Sequence, residues 1–274
     1  MNYIYGLSKS GISIAKYLKK NKKDFDIWDD NILIRNKIKK KFIKSKINYP
    51  SKKKLLQYSN IFVSPGINLY DKKFQFLKNS NKLKRDLNLY YEKLSNEIVI
   101  AITGTNGKST TTKLIGDILK KNNYFTFVGG NIGTPLCNSL LSNKKYTHHV
   151  IELSSFQLEQ ISKFDPKISI LLNISNDHMD RYNNINHYIK QKKKIITHNI
   201  SGYNLISIDD QYTKQIYNSL KIKNKISFSI SNPKADIYFK KNYIYDNYFN
   251  KKNKINIKNI SLHLSGTFNL QNIL

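Results

Sequence analysis

Cysteine is almost missing from this chain of 274 residues, where Cys137 stands alone. One thiol excludes an intrachain disulfide framework, and without Cys/His pairs at zinc spacing the usual structural zinc sites are excluded as well. Arginine is confined to Arg35, Arg85 and Arg181, and acidic residues number only 18 against 47 lysines and arginines, a formal net charge of +29. Such an excess favours anionic partners, nucleic acid among them. The lysines are nevertheless scattered among Ile, Asn and Tyr, the residues of A/T-rich codons, and no nucleic-acid signature accompanies them. Genomic base composition is the preferred explanation, and no nucleic-acid partner is expected. Apolar runs of about 18 residues are lacking, as is a basic N-terminal region followed by an apolar stretch. No membrane association is expected, and the cytoplasm is the expected location. With 5 Pro and 11 Gly, the chain shows no Pro-rich or Gly-rich linker and no internal repeat.

What is present suffices for a globular fold. Hydrophobic residues make up 39% of the chain, with 19 Tyr and 13 Phe, enough to bury a sizeable core. The length suggests one large or two ordinary domains, and two is the working count. Residues 3–5 read as a strand, 6–11 as a Gly/Ser turn, and Ile12, Ala15 and Leu18 as one face of a helix. Further short strands at 25–28 and 61–63 alternate with Lys-rich helical stretches, which predicts a small parallel, Rossmann-like α/β domain. Residues 83–93 read as polar, and the domain boundary is placed near residue 90. Apolar runs at 97–103, 125–128, 150–153, 168–174 and 205–208 then predict a larger α/β domain over 91–274. After residue 224 the pattern is strand-like.

The strongest local feature is TGTNGKST, residues 103–110, placed between an apolar strand and a helix that carries Leu114, Ile115, Ile118 and Leu119. Small residues let backbone N–H groups close around phosphate oxygens, and the helix N-terminus favours negative charge. Lys108 can reach terminal phosphates and Ser109 can ligate Mg²⁺. The usual spacing would place a glycine at Ile102, so this is a shortened phosphate loop. Three further strand ends carry polar groups: Asn131 within GGNIG, Glu152 beside Ser154 and Ser155, and Asp177, His178 and Asp180 after 168–174. Open α/β sheets bind ligands at this edge, and the oxygen donors suit Mg²⁺.

Together these segments, GTNGKSTTT from Gly104, GGNIGTPL from Gly129, ELSSFQLE from Glu152 and LNISNDHMDRY from Leu172, resemble the Mur ligase family. GLSKSG from Gly6 and SPGI from Ser64 are similar to its D-glutamate-adding branch. The resemblance implies ATP-dependent amide formation between UDP-N-acetylmuramoyl-L-alanine and D-glutamate through an acyl phosphate, with Mg²⁺ as cofactor, by a monomer. It implies that Gly104, Thr105, Asn106, Gly107, Lys108, Ser109, Thr110 and Asn272 hold ATP. It assigns Mg²⁺ to Ser109, Glu152, His178 and a carbamylated Lys192, four residues after Tyr188, with Lys108, His178 and Lys192 as catalytic groups. Ser10, Asp30 (or Asp29), Ser64, Asn131 and His178 would hold the UDP-muramoyl substrate. GTFNLQN from Gly266 resembles the family's adenine-contacting segment, with Phe268 where a His is usual. Family members continue beyond the point matching Leu274 into a third domain that holds D-glutamate, so a chain ending there is expected to be a shortened form. Two alternatives are a folylpolyglutamate synthase-like ligase, which ELSSFQLE argues against, and a non-catalytic nucleotide or UDP-muramoyl binder.

Overall fold

A computed structural model describes residues 1–77, 80–143, 145–249, 253–257 and 267–274, with only the backbone of Thr267 and Phe268. By contacts the chain divides into two compact units. The first comprises Met1–Ser95, Gly133–Lys145 and Phe156–Lys163; the second comprises Asn96–Ile132, Tyr146–Ser155 and Phe164–Leu274. A single cut near residue 90 therefore does not describe this partition, because two later segments pack with the first unit. Residues 83–93 are not the polar connector expected from their sequence. They form a short strand and a helix whose Leu87, Asn88, Leu89 and Tyr90 are buried.

In the first unit the order is β1 (Asn2–Tyr5), α1 (Lys9–Lys20), β2 (Phe25–Trp28), α2 (Ile32–Lys41), α3 (Lys52–Leu55), β3 (Asn60–Val63), β4 (Leu83–Lys84) and α4 (Asp86–Tyr91). The strands form a parallel sheet in the order β2-β1-β3-β4. Tyr3, Ile4 and Tyr5 are all fully buried, as expected of a strand covered on both faces. On α1, Gly11, Ile14, Ala15 and Leu18 are buried, a stripe at helical spacing, and Lys19 and Lys20 in the last turn suit the negative end of the helix dipole. Gly6 adopts φ +88°, and a Cβ on Gly11 would lie 1.9 Å from the Gly6 carbonyl oxygen. The turn from β1 into α1 therefore requires glycine at both ends.

The second unit contains β5 (Ile98–Thr103), α5 (Lys108–Lys121), β6 (Thr126–Gly130), β7 (His148–Glu152), the first residue of α6 (Ser155–Leu158), β8 (Ile168–Leu171), α7 (Ile185–Thr197), β9 (Tyr203–Ser207), α8 (Gln211–Ser219), β10 (Lys225–Ser229), β11 (Ile237–Lys240), β12 (Tyr243–Asp246), β13 (Asn253–Asn256) and α9 (Thr267–Ile273). Among the described residues its sheet runs β13-β12-β11-β10-β9-β8-β5-β7-β6. Strands from β6 to β11 are mutually parallel, and β12 and β13 extend the edge antiparallel. From β5 the chain travels to β6 and β7 on one side and then to β8 on the other. The connection order thus reverses at β5, the point at which ligands bind in open α/β sheets. β8 ends three residues earlier than the apolar run to 174 suggested, which leaves Leu172, Asn173 and Ile174 in the loop above the sheet. No helix among the described residues is long and apolar enough to cross a membrane.

Candidate active site

The loop between β5 and α5 owes its shape to Gly107, which precedes the helix in a left-handed conformation (φ +82°). A Cβ there would also come within 2.1 Å of Asn272 Oδ1, so only glycine fits. A cavity of about 260 Å³ opens over the loop, lined by residues 105–110, Asn131, Ile132 and Glu152. Lys108 Nζ donates to the carbonyls of Gly104 (3.0 Å) and Thr105 (2.7 Å), folded over its own loop. Burial lowers the pKa of this ammonium, against the opposing charges of Glu152 and Asp177. A phosphate entering the cavity would meet a cation already partly stripped of water, which strengthens its attraction.

Strands β6 and β7 bring two further groups to the same cavity. Glu152, the last residue of β7, is 2% exposed and accepts hydrogen bonds from Ser109 Oγ (2.7 Å) and Asn131 Nδ2 (3.0 Å). Gly130 allows the close approach that makes this possible, since a Cβ there would lie 2.1 Å from the Glu152 carbonyl oxygen. A hydroxyl and a carboxylate in contact beside a phosphate cradle are the hard oxygen donors that Mg²⁺ prefers, and the ion keeps its remaining positions for phosphate and water oxygens. No group of three or more His, Cys, Asp or Glu side chains placed to share a metal occurs among the described residues.

Helix α7 presents the next groups. Its buried residues, Tyr188, Gln191, Lys192, Ile195 and Ile196, form one stripe, and Lys192 is 1% exposed whereas the neighbouring Lys190 points outward. Lys192 Nζ donates to the Gly104 carbonyl at 2.6 Å, the oxygen Lys108 also uses, and lies 4.7 Å from the Tyr188 ring centre. Burial, followed by the charge of Lys108, pushes its pKa well below the ordinary lysine range, with Asp177 and Glu152 opposing. His178 adopts a left-handed backbone (φ +57°) and pairs with Asp177 at 3.4 Å.

Two residues not singled out from sequence hold the loop in place. Asn173 Oδ1 accepts from the backbone N–H groups of Thr105 (3.1 Å) and Asn106 (2.8 Å), and its Nδ2 donates to Gln271 Oε1 at 3.0 Å. Asn173, Gln271 and Asn272 line a second cavity of about 310 Å³ with Asn106 and Gly107, and Asn272 Oδ1 accepts from Thr111 Oγ1 at 3.3 Å. Gly266 and the side chains of Thr267 and Phe268 lie outside the described residues. Asn173 stood inside the segment from Leu172, but its partners are remote in sequence and only the fold discloses them.

In the first unit, Asp30 lies two residues past the end of β2, its carboxylate accepting from Tyr5 Oη (2.6 and 2.7 Å) and Trp28 Nε1 (3.0 Å), beside Lys73 at 3.5 Å. Burial opposes its ionisation, yet these bonds and Lys73 leave its pKa lowered. Asp29 Oδ2 accepts from the Leu7 N–H at 2.6 Å. Ser64 is buried and donates to the Gly6 carbonyl at 2.6 Å; Ser10 hydrogen-bonds buried Asp86, whose pKa is raised by burial and whose carboxylate also accepts from Gln157. Ser10 thus lies within the segment 6–11, Ser64 holds its first residue, and Asp30 lies past the end of the neighbouring strand β2.

Residues 102–274 match the Mur ligase middle domain and residues 2–83 the MurD-like N-terminal domain of Mur ligases; the chain belongs to the Mur ligase family. UDP-N-acetylmuramoylalanine--D-glutamate ligase of Rickettsia prowazekii (strain Madrid E) is 38% identical over 98% of this chain and 60% of its own length. The ligase of the same name from Clostridioides difficile (strain 630) is 33% identical over 99% of this chain and 61% of its own. The chain therefore spans about 60% of the length of these relatives. The fold is shared with UDP-N-acetylmuramate-alanine ligase from Thermotoga maritima (TM-score 0.55, 17% identity, 99% of this chain and 62% of that one). It is also shared with a murein peptide ligase from Psychrobacter arcticus (TM-score 0.59, 16% identity, 99% and 62%).

Proposed function

We propose that this chain carries the substrate-activating machinery of a cytoplasmic UDP-N-acetylmuramoyl-L-alanine:D-glutamate ligase, which uses ATP and Mg²⁺ in peptidoglycan precursor synthesis. The observation that carries this reading is the contact of Ser109, Glu152 and Asn131 over the phosphate loop, with Lys108 folded beside it. A carboxylate does not accept an amine until one of its oxygens becomes a leaving group, and phosphorylation supplies that. Lys108 would swing from the Gly104 and Thr105 carbonyls onto the phosphates and offset the charge that builds on the transferred phosphoryl group. Glu152 and Ser109 would hold Mg²⁺, which screens the phosphates and polarises the transferred group. Asn131, bonded to Glu152, would orient the UDP-muramoyl carboxylate toward the same centre. The attacking amine would then displace phosphate and form the amide.

Lys192 fits this scheme as a carbamate. Its lowered pKa supplies the neutral amine that attacks carbon dioxide and releases a proton to solvent, and the product replaces an ammonium that would repel Mg²⁺ with a carboxylate-like group whose single negative charge is shared by two oxygens. His178 would complete the substrate and metal surroundings, Asn272 would contact the nucleotide, and Ser10, Asp30 and Ser64 would form the uridine diphosphate surface of the first unit.

The test is incubation of the purified chain with ATP, Mg²⁺, UDP-N-acetylmuramoyl-L-alanine and D-glutamate, followed by mass spectrometry. The dipeptide-bearing nucleotide and ADP are expected only when all components are present. Nucleotide binding with no such product would favour the non-catalytic alternative.

A further inference from the structure

The amide of Asn173 takes up two loop N–H groups, those of Thr105 and Asn106, and returns a hydrogen bond from its Nδ2 to the Asn106 carbonyl at 3.2 Å. The same Nδ2 donates to Gln271 Oε1 (3.0 Å), and Gln271 Nε2 donates onward to Ser207 Oγ (2.8 Å) and Asp209 Oδ2 (3.2 Å). Asp209 in turn accepts from the N–H of Ile230 at 3.2 Å. A continuous line of side-chain bonds thus runs from the phosphate loop across the ends of β8, β9 and β10 by way of α9. Both amides also line the 310 Å³ cavity next to Asn272, a space suited to a planar base carrying donors and acceptors on its edge.

We propose that Gln271 is a positioning residue that fixes the phosphate loop through Asn173, so that the base-sized cavity and the phosphate cradle act as one recognition unit for a purine nucleoside triphosphate. This rests on the nucleotide-site reading above and assigns a role to two residues outside the loop. An Asn amide has four hydrogen-bonding positions. Without Gln271 the Asn173 amide keeps only its bonds to the loop itself, so its tie to the ends of β9 and β10 is lost and the loop is held less firmly. The effect is therefore on phosphate binding even though Gln271 itself lines the second cavity.

Titration calorimetry of the full chain separates these roles, using Mg²⁺ with ATP and, independently, Mg²⁺ with inorganic tripolyphosphate, which has no base. Gln271→Met is expected to weaken both ligands in parallel by about tenfold, the net size of the single hydrogen bond that links Gln271 to Asn173. Asn173→Ala is expected to weaken both as well, with the double variant no worse than Asn173→Ala alone, because coupled residues are not additive. Ser207→Ala, which removes an anchor of Gln271 without touching the loop, should weaken tripolyphosphate in the same direction while the melting temperature confirms folding. Weakening confined to ATP, or strictly additive losses, would overturn the proposal by making Gln271 a base contact alone. A wild-type chain that binds neither ligand would instead remove the nucleotide site itself.

Discussion

At the scale of single residues, Glu152 carries the most weight, because a carboxylate that is 2% exposed must be compensated. Its partners Ser109 and Asn131 compensate it by hydrogen bonds, and among the described residues no cation is within salt-bridge distance, which leaves its charge available to a cation. Glu152→Gln preserves shape and most of the bonding capacity but removes that charge. It is expected to lower Mg²⁺-dependent ATP affinity about tenfold or more while leaving Mg²⁺-free binding within about twofold, a difference of the size expected for one charge-assisted contact. Fluorescent-nucleotide titrations with and without Mg²⁺ check it. Equal loss in both conditions would place the metal elsewhere. That Lys108, Ser109 and Glu152 share one cavity was readable in sequence because each sits at a fixed offset from a strand end. The position of Lys192 was readable from its spacing to Tyr188, but its burial, against the exposure of Lys190, is a property of how α7 packs. Asn173 and Gln271 were not readable, since two uncharged amides 98 positions apart leave no pattern until the chain folds.

At the scale of elements, strands covered on both faces announce themselves as apolar runs, and β1, β2, β3, β5 and β8 begin at or within a residue or two of where such runs begin. Helix α4 was missed because its buried face includes Asp86 and Asn88, polar groups whose burial depends on distant partners. Arg85, fully buried, is the clearest case. Its guanidinium donates to the carbonyls of Val63 (3.1 Å) and Ser64 (2.6 Å) and pairs with Glu159, all within the first unit. Glu159 closes the ELSSFQLE segment, so that segment supplies Glu152 to one unit and a structural anion to the other. Arg85→Met is expected to cost about 3–5 kcal/mol by removing the guanidinium that pairs with buried Glu159, and Arg85→Met with Glu159→Leu to recover most of it. Urea denaturation of the two variants decides; an equal cost in both would mean that packing alone matters.

The β6–β7 edge holds a second buried ionisable group. His149 packs against Phe127 and Tyr146, and burial, together with His148 and opposed by Glu97, lowers its pKa to about 4. The unfolded chain takes up this proton near pH 6.5 and the folded chain only near pH 4, so the unfolded state binds more protons between these values. Stability is accordingly full above about pH 6.5 and is lost as pH falls toward 4, by at most about 3 kcal/mol from this group. His149→Phe should flatten that part of the stability–pH curve. An unchanged slope in the variant would assign the acid sensitivity to other groups.

At the scale of the whole molecule, a linear reading divided the chain once, near residue 90, whereas segments 133–145 and 156–163 pack with the first unit. Such excursions carry no compositional mark, because a loop that leaves one sheet and buries itself beside another has the same mixture of apolar and polar residues in either place. The α/β class, the two sheets and the strand ends that carry the polar groups were legible because each depends on local periodicity. The net charge of +29 should speed encounter with anionic ligands, an effect that weakens as salt rises, without deciding which ligand binds.

The proposed phosphorylation of a UDP-muramoyl carboxylate at the second unit is tested most directly by trapping with hydroxylamine in the presence of ATP, Mg²⁺ and UDP-N-acetylmuramoyl-L-alanine, read by mass spectrometry. Formation of the hydroxamate, dependent on ATP and abolished by Lys108→Met, is the predicted result. ATP binding at full affinity with no hydroxamate formed would contradict it.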